Sequence, residues 1–271
     1  MGIYNSSRTR VVPVFDRLHE RDPTGTQWLP TLLELGDRVS GALPRPTRAT
    51  LISDHPRTWG EFALSLDPPV GLLKYLVNSV TTKQVENSGD SGFVLQRRQA
   101  LARKEPSCIE EALNAIQSAH PRRAWYLLEG PSRPDATLIM DEAVLVIEGK
   151  RTERTCTSQT KWMGTRSQLL RHMDAAMDAP SFRGKTIFGL LIVEGDGGSD
   201  AFTPSTHWIA ESRAQVSPEM LASSLPHRSP AIRDSLANGV LGVCTWQAVC
   251  ERCGVPWPPY EDGGTYRKRL P

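Results

Sequence analysis

Cysteine is scarce in this 271-residue chain: five residues, at 108, 156, 244, 250 and 253, an odd number with no framework spacing. That excludes the disulfide scaffold of a small secreted domain. The start, MGIYNSSRTRVVPVF, carries an apolar run too short for a signal sequence and broken by Pro13, so a reducing, cytoplasmic location is expected. Long apolar runs are missing as well. The longest, Ile187–Val193, falls far short of the roughly 20 residues that span a bilayer, and no membrane partner is expected. Nor does one sign of charge dominate: 32 Lys and Arg against 30 Asp and Glu leave a net charge of +2. A polyelectrolyte tail is excluded, and any affinity for nucleic acid must be local. No repeat or low-complexity tract is visible. Glycine and proline, 21 of each, are plentiful and predict many turns.

Residues 1–100 are punctuated at Asp22-Pro23, Pro44, Pro46, Pro56 and Asp67-Pro68-Pro69. Helical stretches such as Trp28–Leu35 and Val70–Val80 lie between, so this part reads as a helical, loop-rich N-terminal extension. It holds no chemical motif and is the place for a homodimer or partner-protein contact. Residues 101–200 are regular. Ser107 with Glu110 three residues on has capping-box spacing, and Ile109, Ala112, Leu113 and Ile116 follow at helical period to about Ala119. Ala124–Leu128, Asp135–Met140 (DATLIM) and Ala143–Lys150 (AVLVIEGK) read as strands. A long amphipathic helix is predicted over Gln159–Met177, with Trp162, Leu169, Met173 and Ala176 on one stripe. Lys185–Val193 (KTIFGLLIV) reads as a strand buried on both faces. Residues 201–271 form a C-terminal α/β addition: helical pieces Pro218–Ser224 and Ala231–Ala237, a strand Val240–Thr245 and a helix from Trp246 to about Cys253. The class is α/β, in the order helix, three strands, helix, strand for the middle segment.

If Asp141-Glu142 is the turn of a hairpin, Met140 faces Ala143, Ile139 faces Val144 and Asp135 faces Glu148. A four-residue loop keeps this register, whereas a three-residue loop breaks it. Two carboxylates directly opposite one another are destabilising unless something compensates. A divalent cation such as Mg2+ does so, because it takes hard oxygen ligands through one or two carboxylates. Strand alternation puts Lys150 on the same face as Glu148, with Gly149 turned the other way. An ammonium beside such a metal can orient an attacking water and stabilise charge on a phosphoryl oxygen. Phosphodiester hydrolysis is the reaction class this suggests.

Pro134-Asp135, twelve further residues and then Glu148-Gly149-Lys150 resemble the motif of the PD-(D/E)XK nuclease superfamily. The element order over about residues 105–195 is similar to that superfamily's αβββαβ core, a restriction-endonuclease-like mixed sheet flanked by helices. The resemblance implies that Asp135 and Glu148 bind Mg2+ or Mn2+, that Lys150 is catalytic, and that an acidic residue of the first helix joins the metal. Glu111, on the flank of that helix's apolar stripe, is the candidate, with Glu110 as the capping-box acid. Gln168-Leu169-Leu170-Arg171-His172 is similar to the Q-x-x-x-Y element of RecB-like members, with His172 where tyrosine is usual. Gln168 therefore joins the catalytic set, and His172 shares its helix face.

Seven basic and three acidic residues between 151 and 185 give that stretch a local charge of +4. Arg151, Lys161, Arg166 and His172 are the candidates for contact with nucleic acid, Arg166 because it interrupts an apolar stripe and could reach a phosphate. The expected function is a metal-dependent nuclease, with DNA favoured over RNA, acting in defence, restriction or repair. The alternative is a catalytically inactive nuclease-fold module that binds nucleic acid or a protein partner. Cys244, Cys250 and Cys253 leave a zinc site open, but without a second pair at ligand spacing they read better as buried core. Arg267-Lys268-Arg269 reads as a solvated tail.

Overall fold

A computed structural model of the protein describes residues 6–36, 50–52, 57–60, 63–117, 124–195 and 201–258. Pro44, Pro46, Pro56, the predicted helix end at Ala119 and the Arg267-Lys268-Arg269 tail lie outside them. The chain is α/β, with a four-stranded mixed sheet flanked by helices. Its two longest apolar runs, β2 (Ala143–Gly149) and β5 (Thr186–Val193), sit side by side and parallel at the centre. β1 (Ala136–Ile139) pairs antiparallel with β2, and β6 (Val240–Thr245) pairs parallel with β5, giving the order β1-β2-β5-β6.

Both faces are covered, which is why the central strands are apolar without alternation. On one face Leu138, Leu145, Ile147, Phe188 and Leu190 meet Phe15 of α1 (Val12–Arg21), Leu29 and Leu33 of α2 (Leu29–Glu34), and Trp246 of α11 (Trp246–Cys253). On the other, Ile139, Val144, Val146 and Ile187 meet Leu169 and Met173 of α7 (Gln168–Asp178). Leu221 of α9 (Pro218–Ser224) and Leu236 of α10 (Pro230–Gly239) close that layer, and α8 (Thr206–Gln215) packs on β6 through Trp208. A further layer joins α3 (Val70–Ser79), α4 (Thr82–Glu86), α5 (Gly92–Ala102) and α6 (Pro106–Gln117) around Leu72, Leu76, Val85, Leu101, Cys108, Ala112 and Ile116.

Residues 7–36, helical within the N-terminal extension, pack on the sheet: Val11, Val14, Phe15, Leu18 and Leu29 are buried against it. Three expectations need correction. Ala124–Leu128 is not a strand, because the buried Arg98 guanidinium takes the carbonyls of Trp125 (2.8 Å) and Leu127 (3.2 Å) that a ladder would need. The edge beside β1 is instead lined by residues 51–52 and 57–60: Ile52 N–H donates to the Ile139 carbonyl (3.0 Å), Thr137 N–H to the Thr58 carbonyl (2.9 Å) and Gly60 N–H to the Asp135 carbonyl (2.7 Å). The predicted helix Gln159–Met177 begins only at Gln168. Residues rich in threonine, a strand former, make a hairpin first, β3 (Thr157–Thr160) and β4 (Met163–Ser167), and the Ser167 hydroxyl caps the helix by accepting from Leu170 N–H (3.1 Å). Finally, α6 starts at Pro106, where proline's missing N–H is harmless, so Ser107 lies inside it; a capping box forms instead at Thr81 and Gln84. No helix among the described residues is long and apolar enough to cross a membrane.

Candidate active site

The β1–β2 hairpin has the register read from its turn: Ile139 faces Val144 and Ala136 faces Ile147, which carries Asp135 opposite Glu148. Asp135 is held there by Gly149, whose N–H donates to Oδ2 at 2.8 Å. Glu148 is buried. Its Oε1 accepts from Lys150 Nζ at 2.7 Å and its Oε2 lies 2.9 Å from His172 Nε2. Lys150 Nζ also donates to Gln168 Oε1 at 2.7 Å. Gln168 and His172, one turn apart on α7, thus address β2 together. Lys150 is fixed through its backbone: its N–H donates to the Ile192 carbonyl (2.8 Å), and Trp246 Nε1 donates to its own carbonyl (3.2 Å).

Burial and the facing Glu148 push the Asp135 carboxyl well above the usual carboxylate range, against the pull of the Gly149 amide and Lys150. Burial acts upward on Glu148 too, but His172 and Lys150 outweigh it and hold that group down at about 2. Burial would lower the Lys150 ammonium; Glu148 outweighs this, with Glu153 and Asp135 adding to it, and raises it. The two carboxyls are thus pushed in opposite directions, as expected of like charges in one site.

A Cβ at Gly149 would lie 2.8 Å from Trp246 Cζ2, 3.0 Å from Val11 Cγ2 and 3.4 Å from the Asp135 Oδ2 that the Gly149 N–H holds. The position needs glycine for close packing beneath the site. Gly149→Ala is expected to destabilise by about 1–3 kcal/mol, read as a lower denaturation midpoint.

Other candidates are placed elsewhere. Glu111 is exposed and ion-paired with Arg97, because the buried stripe of α6 packs on α3 and α5; it is not brought to Asp135 and Glu148. Arg166 lies on β4, not on a helix, and is fully buried: Nη1 is 3.2 Å from Glu129, Nη2 3.3 Å from Asp174, and Nε donates to the Ser224 carbonyl. It ties β4 to α7 and α9 and has no path to a phosphate. Arg166→Met should therefore lower stability by about 3–5 kcal/mol, the cost of breaking a buried ion pair, without altering nucleic-acid affinity of the folded protein in a binding titration. Lys161 pairs with Asp90 at 2.8 Å, at the β3–β4 turn. Arg151 follows Lys150 directly, with its N–H donating to Glu153 at 2.9 Å. The +4 stretch is thus no continuous electropositive face: Arg166, Arg171 and Lys161 are in ion pairs, and Lys185 donates to the Met140 and Asp141 carbonyls at the far end of β2.

Two participants escaped the sequence reading. Ser132, read as a turn residue, is buried with Oγ 2.5 Å from His172 Nδ1. Glu153 adds a third negative charge felt by Asp135 and Lys150. Its signal was position alone, three residues past Lys150. A cavity of about 540 Å³ opens nearby between Phe93, Trp125, Leu127 and Glu129 but excludes the carboxylate pair.

Among the described residues no group of three or more His, Cys, Asp or Glu side chains is arranged to hold a metal. Mg2+ needs only one or two carboxylates when water and phosphate complete its shell. Asp135 and Glu148 are hard oxygen donors that face each other, and Asp135 Oδ1 accepts no hydrogen bond among the described residues, so the donor set fits. Cys244, Cys250 and Cys253 pack in the core, where burial pushes all three thiols upward, Cys253 to about 11. Comparisons of the chain with protein-family models, curated proteins and solved structures give no match.

Proposed function

We propose that the protein is a metal-dependent nuclease with a restriction-endonuclease-like core of the PD-(D/E)XK type. The reading is carried by one observation: Asp135 opposite Glu148 at the end of a hairpin, with Lys150 hydrogen-bonded to Glu148 on the same face. Asp135 and Glu148 would hold Mg2+ or Mn2+, which when bound supplies Lewis acidity toward a phosphodiester. Lys150 has three N–H donors. Glu148 and Gln168 take two, which orients the ammonium and leaves one for a phosphoryl oxygen or the attacking water. The water oxygen forms the new bond to phosphorus, the bridging P–O bond breaks, and the water's protons pass to the leaving oxygen and to solvent. DNA is favoured as substrate, on the strength of the resemblance, with defence, restriction or repair as settings.

One observation favours a second reading, an inactive nuclease-fold module that binds nucleic acid or a partner: both Glu148 oxygens already have close partners in Lys150 and His172. Calorimetric titration of Mg2+ separates the two. The nuclease reading expects saturable binding that Asp135→Asn abolishes and a matching gain in thermal stability. The module reading expects neither.

A further inference from the structure

A carboxylate only accepts hydrogen bonds, so the nitrogen of His172 that faces Glu148, Nε2, must carry a proton. The other nitrogen, Nδ1, then needs a partner, because the residue is buried. Ser132 supplies it, with a hydroxyl 2.5 Å away. That serine is itself held from two sides. Its backbone exchanges two hydrogen bonds with Leu66, each 2.8 Å. Arg171, next to His172 on α7, pairs with Glu129 at 2.7 Å and donates to the carbonyls of Gly130 and Pro131 at 3.2 and 3.4 Å. The segment 129–132 is thereby clamped to the helix that carries the imidazole.

We infer that Ser132 and His172 are positioning residues: the Ser132 O–H donates to His172 Nδ1, fixes the ring as the Nε2–H form, and so holds the Glu148 carboxylate facing Asp135. This rests on the metal-centre reading for its purpose, not for its geometry. Lys150 holds one oxygen of Glu148 and the imidazole the other, so the carboxylate cannot rotate away from its neighbour. Partners of metal-binding carboxylates set affinity in this way, and their loss typically costs about 10- to 100-fold.

The test uses the full chain with Ser132→Ala, which removes only the hydroxyl and leaves both backbone bonds to Leu66 intact; thermal melting checks that the variant is folded. Nitrogen-15 NMR of the imidazole, in chelator, is expected to show the Nε2–H form in the wild type and its loss in Ser132→Ala. Mg2+ affinity by calorimetry is expected to fall about tenfold in Ser132→Ala. In a His172→Gln background, where the amide still donates to Glu148 but has no Nδ1, removing the hydroxyl should change affinity less than twofold. An unchanged tautomer in Ser132→Ala, or an equal loss in both backgrounds, overturns the inference even if the protein binds Mg2+ and cuts DNA. A wild type in which the tautomer is fixed as described but which binds no metal overturns the nuclease reading and, with it, the purpose assigned to the relay.

Discussion

Lys150→Ala is expected to lower cleavage of DNA in Mg2+ by about a thousandfold or more, the scale of losing a positioned acid–base or electrostatic group. The ammonium sits between Glu148 Oε1 and Gln168 Oε1 at 2.7 Å from each, and alanine offers nothing in its place. Loss of Lys150 also removes half of a buried ion pair, which alone can cost about 3–5 kcal/mol. His172 remains on the other oxygen of Glu148 and limits that damage. Circular dichroism and a melting curve on the same preparation distinguish lost chemistry from lost fold. Lys150→Met, which keeps the aliphatic stem, should be as inactive and more stable than alanine.

Asp135→Asn is expected to abolish cleavage and Mg2+ binding while making the metal-free protein more stable. The direction follows from linkage. Burial and the facing Glu148 raise the folded-state value of Asp135 above its ordinary 3.8. The folded state therefore binds the proton more tightly than the unfolded chain does, and stability falls as pH climbs from about 3.8 through the raised value. Asparagine carries no charge to repel Glu148, and its side-chain carbonyl can still accept from Gly149. The gain is about 1 kcal/mol, or about 2–4 °C in Tm for a domain of this size. Melts in chelator at pH 8 should show it, and melts at pH 4 should show it shrink. A variant that is less stable at both pH values would contradict the like-charge account of the pair.

The hairpin and its chemistry were legible because register follows from a two-residue turn and strand alternation, both local rules. Asp135, Glu148 and Lys150 fall within sixteen residues, and no tertiary contact is needed to place them together. Gln168 and His172 came from the resemblance to the Q-x-x-x-Y element, and their i, i+4 spacing on one helix survived although the helix start was misplaced by nine residues, from Gln159 to Gln168. What failed was decided at long range. Arg98 captured carbonyls of residues 124–128, Arg166 met Glu129 and Asp174, and Glu111 followed α6 into a layer built on α3 and α5. A buried arginine and an exposed one look alike in sequence until their partners are known. The same is true of Ser132, whose hydroxyl matters only because α7 brings His172 to it. The role of residues 7–36 was hidden for another reason: Val11, Phe15 and Leu29 cover a sheet formed more than a hundred residues later.

The most direct test of the central claim is a cleavage panel run on purified wild type and Lys150→Ala together. It covers supercoiled, linear, branched and single-stranded DNA, and RNA, each with Mg2+, with Mn2+ and with chelator. The account predicts that the wild type cuts DNA in the presence of either metal, does nothing in chelator, and loses the activity with Lys150→Ala while the variant remains folded. Cleavage that survives Lys150→Ala unchanged, or a folded wild type that cuts none of the substrates with either metal, would contradict it.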